Sequence, residues 1–246
     1  METWHYEEAP LNGGAPGDAY KSVFNGSGMK QAAVLAREAI QNSVDAARTP
    51  EEPVRVDFRF HRLEGAERDR FEAAAGLGDM RAREPDLGLP AANALRRAEG
   101  ALDLLYIDDY GTTGLYGDPT DPSSNLRKLL MDLGGSEKAQ DGTGTGGSYG
   151  FGKAVYSSNS RIGTIFAFSR TEDAEGAPLS LLMGCAYQSG HTRDGVRYTG
   201  RAWLGQGVEV PGHGVRFDPL TGDAAERAAE ALGFERDGED FTAALN

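Results

Sequence analysis

Between Gly134 and Gly152, eight of nineteen residues are glycine. Glycine gives up more conformational freedom on folding than any other residue, so a run this dense neither propagates a helix nor holds a strand. The rest of the chain must therefore fold around a long loop. In a compact domain a loop of that length is either functional or a linker. Its last part, Gly147-Ser148-Tyr149-Gly150-Phe151-Gly152-Lys153, sets two aromatic residues between glycines just ahead of a short helical run over residues 153–158. A flexible linker has no use for aromatic residues there. Successive backbone N–H groups at a helix start, with a lysine beside them, form instead an anion site suited to phosphate.

Periodicity around this loop predicts mixed secondary structure. Residues 1–24 read as a loose arm with a short strand over 20–24, and residues 25–246 as a single domain. Asn25-Gly26-Ser27-Gly28 supplies capping residues for a helix over 29–48, which Pro50 and Pro53 stop. Residues 54–60 alternate apolar and polar at period two, as a half-buried strand does. Residues 64–100, rich in Ala and Arg and broken at Pro85 and Pro90, read as one or two surface helices. The apolar run 102–107 reads as a buried strand stopping at Asp108-Asp109-Tyr110-Gly111-Thr112-Thr113-Gly114. Leucines at 126, 129, 130 and 133 predict a helix over 123–133. Strands follow over 162–169, 179–188 and 197–205, then a helix over 223–232, and residues 237–246 read as frayed. Several strands adjacent in sequence favour an α+β layer fold, with a mainly antiparallel sheet and helices packed on one face.

Composition narrows the function classes. The 246 residues carry a net charge of −13, which argues against a surface built to neutralise phosphate backbones, so direct nucleic-acid binding is not expected. Cys185 is the only cysteine and lies in an apolar run, which suits a buried, inert thiol in a reducing cytoplasm. No apolar stretch reaches the roughly 20 residues needed to span a bilayer, and the acidic start is unlike a secretory signal. His5, His61, His191 and His213 are far apart, without the i, i+4 pairing of a zinc site, and read as surface or loop residues.

Three segments carry chemistry. On the helix over 29–48, Glu38, Asn42 and Asp45 fall within about 60° of one another, with Ala33, Ile40, Val44 and Ala47 opposite. A plain amphipathic helix would put the second set in the core. Val34 and Leu35 project near the polar face and predict that this face is itself partly covered. A covered face holding carboxylate, amide and carboxylate offers a base for water and oxygen ligands for a hard cation. Asp109, at a strand end, can accept from an exocyclic amine, while Gly111 and Gly114 let a flat base approach the backbone. Residues 147–153 are the phosphate segment described above.

Two families share such features. Gly147 to Lys153 nearly meets the P-loop pattern, but Ala154 stands where its metal-binding hydroxyl belongs, and the acidic strand precedes the glycine loop, the reverse of P-loop order. In order, the three segments more closely resemble the GHKL ATPases of gyrase B, Hsp90, histidine kinase and MutL type. Glu38-Ala39-Ile40-Gln41-Asn42-Ser43-Val44-Asp45-Ala46 matches E-x-x-x-N-x-x-D-A. Asp109-Tyr110-Gly111-Thr112-Thr113-Gly114 matches D-x-G-x-G with one extra residue, and Gly147-Ser148-Tyr149-Gly150-Phe151-Gly152 matches G-x-x-G-x-G. The resemblance spans about residues 29–205.

That resemblance implies a Bergerat-type sandwich that binds ATP with Mg²⁺. Glu38 would be the general base for water, Asn42 would ligate the metal, and Asp45 would support nucleotide or metal one turn further on. Asp109 would accept from the adenine amino group, with Gly111 and Gly114 shaping the base pocket. Residues 134–152 would form a lid whose closure controls a protein partner or a homodimer. Gly147, Ser148, Tyr149, Gly150, Phe151 and Gly152 belong to that lid; Lys153 is assigned to phosphate by charge and position alone. Histidine kinases usually carry a different residue in place of the glutamate, so Glu38 points to a hydrolase. The family's later Gly-Thr pair has no clear match, and the lysine that such ATPases take from a following domain would come from a partner or from a longer chain. The rival reading keeps the pocket without turnover, as a nucleotide-gated interaction module; a P-loop-like NTPase is the third.

Overall fold

The computed structural model describes residues 4–11, 16–18, 30–96, 100–118, 121, 124–131, 155–173, 175–234 and 242–245. The expected strand over 20–24, the capping residues 25–28 and the whole phosphate segment, Gly147 to Lys153, lie outside the described residues. In chain order the elements begin with β1 (His5–Glu8), α1 (Gln31–Asp45), β2 (Arg55–Leu63), α2 (Gly65–Ala74), α3 (Leu77–Arg83) and β3 (Leu102–Tyr110). Then come α4 (Val155–Asn159), β4 (Thr164–Glu172), β5 (Pro178–Tyr187), β6 (His191–Arg193) and β7 (Val196–Leu204). The last are β8 (Gln206–Val210), β9 (Gly214–Asp218), β10 (Leu220–Thr221), α5 (Gly222–Ala231) and β11 (Thr242–Leu245). No helix among the described residues is long and apolar enough to cross a membrane.

The protein is α+β. Among the described residues one nine-stranded sheet runs β1-β7-β5-β4-β11-β3-β2, with β10 on β5 and β6 on β7, while β8 and β9 form a separate hairpin. All of its described pairings are antiparallel. Residues 237–246 were expected to fray, yet β11 lies between β3 and β4, with Thr242 opposite both Asp108 and Phe168. β3 and β4 run parallel, and one antiparallel strand between them satisfies backbone groups on both, a non-local gain that the short run over 242–245 does not advertise.

Helices cover both faces of the sheet, which corrects the expectation of one. Successive side chains on a strand point to opposite sides. Leu102, Leu104 and Tyr106 of β3 join Phe166, Phe168, Leu182 and Ala202 against α2, α3 and α5. Ile107 joins Ile165, Ala167, Met183, Cys185 and Trp203 against α1 and α4. Residues 64–100 are thus not a surface appendage. Phe71, Leu77, Met80, Leu87 and Leu95 are buried, and Arg68 is buried against Glu72 at 2.6 Å. Few large apolar residues suffice there because Arg68 and Arg81 both pair with Glu72, so that these charges line the core's margin without opening it. Within the helix expected over 123–133, the described residues include a π-helical turn at Arg127–Met131, and Leu126 and Leu130 are buried. Three of the four histidines lie on strands: His5, His61 and His191.

Candidate functional site

Helix α1 forms from an Ala-rich stretch without Gly or Pro, and starts at Lys30, whose extended backbone provides the N-cap without a side-chain cap. Val34, Leu35, Ala39 and Ser43 are its buried residues, whereas Ile40 and Val44 are 45% and 54% exposed. The stripe that simple amphipathicity assigns to the core faces outward, and the side bordered by Glu38 and Asn42 packs on the sheet. Val34 and Leu35 predicted this cover. The Glu38 side chain is 16% exposed, and its Oε1 accepts from Arg37 Nε at 3.1 Å and from Arg37 Nη2. Asp45, at the end of α1, is exposed, and no contact among the described residues ties it to Glu38 or Asn42.

Strand β3 continues through Asp108, Asp109 and Tyr110, so the two acids lie within the strand and not in the turn expected to begin at Asp108. They pair with Asp57 and Val56 of β2. Pleat alternation then separates them. Asp108, on the Tyr106 side, is buried and accepts from Arg59 Nε at 2.5 Å, which compensates its charge. Asp109, on the Ile107 side, faces the layer that holds α1, and only 5% of its surface is exposed.

The loop after Asp109 is clipped to the end of α1. Arg48 N donates to Gly111 O at 2.9 Å, Thr113 N donates to Ala46 O at 2.9 Å, and Ala47 bridges to Thr112. Gly111 and Gly114 take positive φ, at 78° and 63°. A Cβ on Gly111 would lie 3.0 Å from Pro53 O, and one on Gly114 would run into Ser169 Oγ. These glycines are required by the turn and by its close packing on the neighbouring backbone and on β4.

Tyr156 of α4 closes the group. Its ring is buried, and its hydroxyl accepts from Asn42 Nδ2 at 3.4 Å. Burial raises the Tyr156 pKa above the ordinary tyrosine range; the hydrogen bond from Asn42 opposes that shift, while the nearby Asp109 and Glu38 carboxylates add to it. The hydroxyl therefore stays neutral between two acids. The structure thus gathers Glu38, Asn42, Asp109 and Tyr156 on one side of the sheet. Thr112, Tyr156 and Ser169 escaped sequence reasoning, since each acts through a contact that no local pattern marks.

Among the described residues no three His, Cys, Asp or Glu groups converge to hold a metal ion. With Nδ2 engaged by Tyr156, Asn42 has Oδ1 to offer, which is compatible with an ion such as Mg²⁺ that takes one or two protein oxygens plus phosphate and water. Family models, curated proteins and solved structures give no match to this chain.

Proposed function

We propose that this chain is a GHKL-type, Mg²⁺-dependent ATPase domain of Bergerat fold, whose nucleotide cycle controls a protein partner or a second copy. The observation that carries the reading is the convergence of Glu38, Asn42 and Asp109 through Tyr156, from elements 71 residues apart along the chain for Glu38 and Asp109. Two motifs that are separate in sequence, the one with Glu38 and Asn42 and the one with Asp109, need such a meeting if they serve one ligand. Asp109 would accept from the exocyclic amine of adenine. Asn42 would hold the cation through Oδ1, and Glu38 would accept a proton from the attacking water. The bound Mg²⁺ would neutralise charge on the phosphate oxygens. The assignment of Gly147 to Lys153 to the phosphates and of residues 134–152 to a lid rests on the sequence resemblance.

A second reading, a nucleotide-gated interaction module without turnover, is favoured by one observation: the Glu38 carboxylate is already engaged by Arg37. Glu38→Ala separates the two. The ATPase reading expects phosphate release to fall by about 10²-fold or more with nucleotide affinity retained. A wild-type protein that binds the nucleotide but releases no phosphate is the module.

A further inference from the structure

Thr112 is the extra residue in Asp109-Tyr110-Gly111-Thr112-Thr113-Gly114 relative to the D-x-G-x-G pattern, and although it sits in a loop it is fully buried. A buried hydroxyl in a tight loop costs free energy unless it is used. Here Thr112 Oγ1 lies 3.2 Å from Asp109 Oδ1, and Gly114 N lies 3.3 Å from Thr112 Oγ1. Chemistry fixes the direction of both bonds. An amide N–H only donates, so the hydroxyl receives from Gly114 and its own proton goes to Asp109 Oδ1.

The position of Thr112 is held from outside the loop. Its backbone bridges to Ala47, and its carbonyl accepts from Arg48 Nη2 at 3.2 Å. The Gly114 N–H comes into range because Gly114 takes a left-handed φ of 63° against Ser169. The hydroxyl is thus located by Ala47, Arg48 and Gly114, from both sides of the loop, as a device for orienting that carboxylate requires.

We infer that Thr112 is a positioning residue that holds Asp109 as a pure hydrogen-bond acceptor, so that the site takes a nucleotide with an amino group on the six-membered ring of its base and rejects one with a carbonyl there. The inference rests on the nucleotide reading above. A hydrogen bond donated to a carboxylate stops the group from rotating and so fixes where its remaining lone pairs point. An acceptor-only carboxylate attracts the amine of adenine and repels the oxygen of hypoxanthine. Without the hydroxyl, the buried Asp109 loses a group that fixes its direction, its carboxylate can turn away from the amine, and the preference for that amine falls.

The test titrates non-hydrolysable triphosphate analogues of adenosine and of inosine, with Mg²⁺, into wild type, Thr112→Ser and Thr112→Val, with thermal melts run alongside. Wild type is expected to prefer the adenosine analogue by about 10²-fold or more. Thr112→Ser keeps that ratio, and Thr112→Val lowers it by about tenfold. Should Thr112→Val fail to fold, Thr112→Ala makes the same comparison with a smaller side chain. A valine or alanine variant that weakens both analogues equally, with the ratio intact, shows a merely structural threonine and overturns the inference. A wild type that binds neither analogue overturns the nucleotide reading itself, which is a different result from an unchanged ratio.

Discussion

Asn42 donates from Nδ2 to the hydroxyl of Tyr156 at 3.4 Å, and these two residues join the long helix α1 to the short helix α4 across 114 positions of sequence. An amide that spends its N–H₂ on a neighbour has its oxygen turned to other use. Tyr156→Phe removes the acceptor and leaves the Asn42 amide able to flip. The Mg²⁺ concentration at which nucleotide binding is half-maximal is then expected to rise by about tenfold, the usual cost of losing a group that orients a metal ligand. Titrating Mg²⁺ at fixed nucleotide measures it. An unchanged midpoint means that Tyr156 only fills space.

Gly114 and Gly65 both take left-handed backbone, with φ of 63° and 51°, but only Gly114 is crowded. Gly65→Ala should therefore cost about 1 kcal/mol, the backbone penalty alone. Gly114→Ala adds a collision with Ser169 Oγ, which accepts from Leu115 N at 3.0 Å and cannot swing away without losing that bond. Its cost is expected to be about 2–3 kcal/mol. Urea denaturation of the two variants gives the difference directly.

Alkaline stability depends on buried tyrosines. Tyr106 is 2% exposed, donates to Leu232 O at 2.7 Å, and has its pKa pushed up to about 12 by burial. The unfolded chain loses this proton at about pH 10, before the folded chain does. Stability is therefore full below pH 10 and falls as pH rises toward 12, by about 3 kcal/mol for this residue. Tyr106→Phe costs about 1 kcal/mol at neutral pH through the lost hydrogen bond but flattens the decline between pH 10 and 12. Denaturation midpoints over that range test the sign.

Helix α1 and strands β3, β4, β5 and β7 were legible from local pattern, α1 from helical spacing and the strands from short apolar runs. The covered side of α1 was legible too, through Val34 and Leu35. The choice between Asp108 and Asp109 had physical grounds only once the β2–β3 register put Arg59 beside Asp108 and pleat alternation turned Asp109 toward α1. The helices expected over 64–100 and 223–232 are present, but the packing of the first two on the second face was not legible, because Phe71, Leu77 and Met80 are spread among arginines and glutamates whose ion pairing is invisible in one dimension. β11 was missed because its partners, β3 and β4, lie far from it in the chain. Thr112 looks like any turn threonine, and its role depends on a burial that only the clip to Ala46, Ala47 and Arg48 produces.

The central claim is that Asp109 reads an adenine base beside a helix that supplies the metal ligand and the base for water. The most direct measurement is a calorimetric titration of a non-hydrolysable ATP analogue with Mg²⁺ into wild type and Asp109→Asn. The account predicts saturable binding by wild type and loss of about 10²-fold or more in the variant, since one amine then faces a group that no longer only accepts. Equal binding by both proteins would contradict it, because a nucleotide would then be held without the carboxylate that this structure directs toward α1.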